Sequence, residues 1–228
     1  MIDGQSLTVK AVLLDFDGTL VNSENVHFLS WKEILEDFGI EMRSSDYLEK
    51  YAGTPTPQNA KKLIQKFRMS VSETELINRK NHHTHNYVQK NGLEFMPFAL
   101  QLLTILQNEK VPISLVTGSS RAEVEPVLQR AGLLENFEHI ITRNDVTKSK
   151  PDPECYLKCV RLMKFSPKEY VALEDSKGGV RAAKGAGLKC YGVQSDRNLR
   201  SQLGIEGADN TFKDLKEAYE VLRKDLSV

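Results

Sequence analysis

Two aspartates, Asp15 and Asp17, stand one residue apart at the end of an apolar run, in the stretch VLLDFDGTLVNS from Val12 to Ser23. Residues i and i+2 of a strand face the same way, so both carboxylates can converge on one site. Like charges that close are unfavourable unless a cation lies between them or one of them is protonated. Three further stretches carry groups of matching chemistry: Thr117-Gly118-Ser119-Ser120, Lys148-Ser149-Lys150-Pro151 and Glu174-Asp175-Ser176. Carboxylate oxygens suit a hard cation such as Mg²⁺, which takes one or two carboxylates together with phosphate and water. Thr117, Ser119 and the amide of Gly118, near a helix start, can donate to phosphate oxygens. Lys150 can offset the remaining negative charge, and Pro151 favours an extended approach for it. Together these groups suit a phosphoryl group held beside a divalent cation.

The groups meet only if the elements that carry them do. Candidate strands are Val9–Phe16, Ile113–Thr117, His139–Thr142, Tyr170–Glu174 and Cys190–Val193, brief and rich in Val, Ile and Leu as buried parallel strands are. Helical patterns lie between them at Phe98–Asn108, Arg121–Ala131, Pro153–Met163 and Lys177–Ala186, and Lys213–Arg223 closes the chain. The alternation predicts an α/β fold with a doubly wound parallel sheet. Ligands in such sheets bind beyond the carboxyl ends of the strands, and the acids, hydroxyls and lysine all collect there. From about Ser23 to Asn91 no strand pattern stands out. Glu24–Phe38, Pro57–Phe67 and Ser72–Gln89 read as helices, the last opening with Ser72 and Glu75 in capping-box spacing. That interval is too long for a crossover and too structured for a loop. Residues 1–22 and 92–228 are therefore expected to form the core domain, with 23–91 a helical domain inserted after the first strand.

Composition narrows the partners. Lys plus Arg equals Asp plus Glu at 31 each, a formal net charge of zero among 228 residues, with no electrostatic footprint for nucleic acid or an anionic membrane. No apolar run approaches the roughly 18 residues of a membrane span, and the N-terminus lacks a charged-then-apolar leader pattern. Cysteines number three, too few for a disulfide framework; Cys155, Cys159 and Cys190 read as packed, reduced thiols of a cytoplasmic protein. A monomer is the expected state, with a dimer left open.

DFDGTL, VTGSS, KSKPDP and ALEDS, in that order, resemble the four motifs of the haloacid dehalogenase superfamily of phosphatases and phosphomutases. The resemblance spans nearly the whole chain and implies a Rossmann-like core. The insert resembles the helical C1 cap of the β-phosphoglucomutase-like branch, and SENVHFLSWKEIL fits its start, His27 and Trp31 included. By this resemblance Asp15 is the nucleophile and Asp17 the general acid and base, and Thr117 and Lys150 bind the phosphoryl group. The implied Mg²⁺ ligands are Asp15, the backbone carbonyl of Asp17, and Asp175, with Glu174 beside them. The implied partner is a small phosphorylated metabolite.

The cap is expected to set specificity. YAGTPTP, Tyr51–Pro57, stands where this branch has its specificity loop, and the mutases carry an arginine there that holds a second phosphate. The matching residues here are Gly53, Thr54, Pro55 and Thr56, so that arginine is absent, which favours a phosphatase over a mutase. NRKNHHTHNYV does resemble the mutase cap and marks Lys80 as a candidate substrate contact, an exposed helix lysine being the alternative. His27 either shields the active site or packs on Trp31. His82 and His85 share a helical face but lack a third ligand of evident spacing, so a solvated surface is preferred to a metal site for the His82, His83 and His85 cluster. GAG at Gly185–Gly187 ends a helix and reads as a C-cap turn. A phosphate-storing switch would need neither a leaving-group acid nor a lid.

Overall fold

The computed structural model describes residues 8–226. The chain divides into two compact units: residues up to Asn22 together with those from Glu94 onward, and Ser23–Leu93 between them.

In chain order the elements are β1 (Ala11–Leu14), β2 (Val21–Asn22), α1 (Glu24–Glu36), α2 (Ser44–Lys50), α3 (Thr56–Phe67), α4 (Glu73–Asn91), β3 (Glu94–Phe95), α5 (Ala99–Asn108), β4 (Ile113–Val116), α6 (Arg121–Arg130), β5 (His139–Ile141), α7 (Glu154–Met163), β6 (Tyr170–Glu174), α8 (Lys177–Gly185), β7 (Lys189–Val193), α9 (Arg197–Ile205), β8 (Asn210–Phe212) and α10 (Leu215–Leu222). The larger unit is built on a six-stranded sheet ordered β5-β4-β1-β6-β7-β8. Every pairing in it is parallel. A parallel sheet hides both faces under crossover helices, and β1, β4 and β6 are buried at every position. Leu13, Val116, Ala172 and Cys190 from the strands pack with Tyr156, Cys159, Val180 and Ala183 from α7 and α8. The three cysteines are free, buried thiols. Among the described residues no helix is long and apolar enough to cross a membrane.

Register brings the motifs level. Leu14 pairs with Leu115 on one side and Leu173 on the other. Asp15 therefore leaves the sheet beside the ends of β4 and β6, and its amide still donates to Leu173 O at 3.1 Å. From β5 the chain crosses back to β6 on the far side of β1, so the order reverses beside β1, which is where open α/β sheets bind ligands.

The smaller unit is helical. Trp31, Ile34 and Leu35 of α1 pack with Tyr47, Tyr51, Ala60, Leu63 and Leu76. Ser72 caps α4 by accepting from Glu75 N at 3.1 Å. The residues on either side of this unit, Val21-Asn22 and Glu94-Phe95, pair as a two-residue antiparallel ribbon.

Several elements differ from the sequence expectation. The first strand is shorter, because Val9 makes only an isolated bridge with Leu226. The seven-residue α2 presents one buried residue, Tyr47, too little for a periodic signal. Only Leu203 is buried in α9 while Ile205 is 83% exposed, and β8 is a three-residue edge strand.

Candidate active site

The loop after β1 turns sharply: Gly18 N donates to Val21 O at 2.8 Å, and Leu20 N and Val21 N both donate to Phe16 O at 2.9 Å. Gly18 takes φ +74°, and a Cβ there would fall 2.0 Å from Asp175 Oδ2. Only glycine admits both the turn and the approach of that carboxylate.

Asp15, Lys150, Glu174 and Asp175 come together at this edge. Lys150 Nζ donates to Asp15 Oδ1 at 2.6 Å, Glu174 Oε1 at 2.6 Å and Val116 O at 2.8 Å. Glu174 Oε1 also accepts from Tyr156 Oη at 2.6 Å. Glu174 is fully buried, and its Oε2 has no hydrogen-bond partner among the described residues. One oxygen from each of Asp15, Glu174 and Asp175 lies within 4.8 Å of the others, the one such cluster of metal-capable groups among the described residues. Burial pushes the Asp15 carboxyl up from 3.8 to about 8; Lys150 opposes this, while Glu174 and Asp17 add to it. Asp175 is held well above the ordinary carboxylate range by burial and then by Asp15 and Glu174. Burial pulls Lys150 down, but Asp15 and Glu174 outweigh it and hold the ammonium above its ordinary value. Crowded acids that resist ionisation, with one buried oxygen lacking any donor, suit a hard divalent cation.

The neighbouring loop supplies hydroxyls. Ser119 Oγ lies 2.5 Å from Asp17 Oδ2, and Ser119 N donates to Thr117 Oγ1 at 2.9 Å. A Cβ on Gly118 would meet nothing within 4 Å. Thr117 is buried, and α6 begins two residues beyond Ser119. Lys150 thus faces two carboxylates and a backbone carbonyl.

The cap candidates lie in the helical unit. Lys80 is 2% exposed, so the picture of a solvated helix lysine is wrong. Its Nζ lies 3.0 Å from His27 Nδ1, joining α4 to α1. Trp31 faces the apolar interior of that unit. Gly53 takes φ +65° in the loop before α3, and Thr56 opens that helix. The buried Asn59 pins the loop by donating to Tyr51 O at 2.8 Å and Thr54 O at 3.1 Å. His83 bonds Glu33 Oε2 at 2.7 Å and Ser30 Oγ at 3.1 Å, and His82 bonds Asn86 at 3.0 Å.

Sequence reasoning missed Tyr156, Asn59 and Gly179. The polar tip of Tyr156 on an apolar helix face, and paired glycines at 178 and 179 inside a helix, were the available signals. A Cβ at Gly179 would fall 1.7 Å from Glu174 Oε2.

A family model described as haloacid dehalogenase-like hydrolase matches residues 12–193, which takes in all four motifs. The chain belongs to the haloacid dehalogenase-like hydrolases. A β-phosphoglucomutase from Bacillus subtilis is 29% identical over 223 residues, covering 94% of this chain and 97% of the relative. A validoxylamine A 7'-phosphate phosphatase from Streptomyces hygroscopicus subsp. limoneus is 30% identical over 214 residues, covering 91% and 95%. The fold matches that of a haloacid dehalogenase-family hydrolase from Deinococcus radiodurans R1, solved with bound phosphate and sodium: TM-score 0.80, 23% identity, 96% of this chain and 97% of that one. A phosphoglucomutase and a phosphatase thus both stand among the relatives this chain resembles.

Proposed function

We propose that this chain is a Mg²⁺-dependent, cytoplasmic phosphatase acting on a small phosphomonoester of the sugar or polyol phosphate type. The observation that carries the reading is the unlike setting of two acids one residue apart: Asp15 sits against Lys150, Glu174 and Asp175, while Asp17 sits against Ser119. A nucleophile and a proton carrier need such different surroundings.

Asp15 attacks phosphorus as the ester P–O bond breaks, which leaves an aspartyl phosphate. Asp17 gives its proton to the departing oxygen. Asp17 then takes a proton from water as the water oxygen attacks phosphorus, the Asp15–phosphorus linkage breaks, and orthophosphate leaves. Two steps replace one of the slowest uncatalysed reactions known. Thr117, Ser119 and the Gly118 amide hold the phosphoryl oxygens, and Lys150 balances charge. Asp15, Glu174, Asp175 and the Asp17 carbonyl would hold Mg²⁺, which when bound offsets the negative charge of the acids and the phosphoryl group. Residues 23–91 serve as the cap, with His27, Lys80 and the loop of Gly53, Thr54 and Thr56 choosing the alcohol portion.

Orthophosphate release from a panel of phosphorylated sugars and polyols, with Mg²⁺ and with EDTA, tests the proposal. Turnover that EDTA abolishes is the expected result. The Bacillus subtilis relative favours a second reading, a sugar-phosphate mutase. Interconversion of sugar 1- and 6-phosphates without net release would establish it, against the lack of arginine at positions 53–56. Stable labelling without turnover would instead mark a phosphate-storing switch.

A further inference from the structure

Lys150 has three N–H donors, and Asp15 Oδ1, Glu174 Oε1 and Val116 O take all of them. An ammonium so committed reaches a phosphate only by giving up one of these bonds. The three acceptors are not equal. Asp15 is the nucleophile, and Val116 O belongs to the backbone of β4. Glu174 Oε1 has a second donor, the hydroxyl of Tyr156 at 2.6 Å. Its other oxygen has none among the described residues. Tyr156 is fully buried, and its ring centroid lies 5.2 Å from Lys150 Nζ. A buried carboxylate stripped of its last donor bears a large desolvation penalty; one that keeps a donor bears much less.

We propose that Tyr156 is a positioning residue: by holding Glu174, it lets Lys150 turn one N–H from that carboxylate to the substrate phosphoryl group. This rests on the phosphomonoester reading above. Tyr156 acts through Glu174 and Lys150, and no bond to it forms or breaks. Lacking its hydroxyl, Glu174 would keep Lys150 as its sole donor and hold it back.

Tyr156→Phe removes the hydroxyl and keeps the ring. Orthophosphate, bound at saturating Mg²⁺ and followed by calorimetry, is the probe. Its Kd, and the KM of a turned-over phosphomonoester, should rise about tenfold, the scale of one hydrogen bond to a charged group, with kcat changed far less. In a Lys150→Met background the same substitution should leave the orthophosphate Kd unchanged. A lowered Tm with wild-type Kd and KM, or an equal effect in both backgrounds, overturns the assignment. Should Tyr156→Phe not fold, a crystal structure of the wild-type protein with orthophosphate decides. Lys150 should then stand beyond about 3.5 Å from Glu174 with Tyr156 still bonded to it; Lys150 still bonded to Glu174 beside a bound phosphate overturns it. Wild-type protein that neither binds orthophosphate nor hydrolyses phosphomonoesters overturns the functional reading and this inference together. Active wild type with an unaltered variant overturns this inference alone.

Discussion

Ser119 Oγ and Asp17 Oδ2 lie 2.5 Å apart, a hydrogen bond that joins residues 102 positions apart in sequence. It ties the loop after β1 to the loop after β4. A hydroxyl donates to a carboxylate and accepts from a carboxylic acid by turning its O–H, so one partner serves Asp17 both before and after it gives up a proton. Ser119→Ala should lower kcat by about tenfold, the scale of one hydrogen bond to a charged group. Steady-state assays of the folded variant measure this, and an unchanged kcat would remove Ser119 from the reaction.

The two acids should fail differently. Asp15→Asn leaves no nucleophile, and no orthophosphate should be released. Asp17→Asn keeps the nucleophile and loses the proton carrier, so kcat should drop on the order of 10²–10⁴. Full activity in Asp17→Asn would show that leaving-group protonation comes from elsewhere.

Crowding of the acids sets a dependence on pH and metal. Asp15 moves from 3.8 to about 8, driven first by burial, and Asp175 also moves up. A carboxyl that binds its proton more tightly folded than unfolded favours the fold most at low pH. That advantage is lost as pH rises from about 4 through about 8. A cation needs these oxygens deprotonated and then offsets their repulsion. In EDTA, Tm should therefore fall between pH 5 and pH 8 through this site, and Mg²⁺ should raise Tm more at pH 8 than at pH 5. Thermal melts at both pH values, with and without Mg²⁺, measure it; an equal Mg²⁺ gain at the two would refute the linkage.

What the chain's order of residues reveals depends on how local the cause is. Val12, Leu13 and Leu14 announce a strand because both faces of β1 are covered, and Asp15 is conspicuous because it ends such a run. Asn210–Phe212 does not, since an edge strand of half-buried residues has no apolar signature. Lys80 leaves a substrate contact and an exposed helix lysine equally open in the sequence, and the packing of α4 on α1 buries it beside His27. Tyr156 is the clearest case: its place in α7 asks only for an apolar ring, and the need for its hydroxyl arises from Glu174, carried by another element.

The pair Gly178 and Gly179 gives the last expectation. Glycine inside a helix costs roughly 0.5–1 kcal/mol relative to alanine, so replacing either should help unless space forbids it. A Cβ at Gly178 would meet only Pro151 N, at 4.0 Å, and Gly178→Ala should leave stability unchanged or slightly raised. A Cβ at Gly179 would fall 1.7 Å from Glu174 Oε2 and 2.0 Å from its Cδ. That carboxylate cannot swing aside freely, because Lys150 and Tyr156 both grip its other oxygen in a fully buried site. Gly179→Ala should therefore destabilise by about 1–3 kcal/mol, as overpacking of a filled interior does. It should also cut activity, since displacing Glu174 disturbs Lys150 and the cation site at once. Urea denaturation and turnover of the two variants side by side measure the contrast. A Gly179→Ala protein as stable and active as Gly178→Ala would mean that Glu174 is not seated against α8.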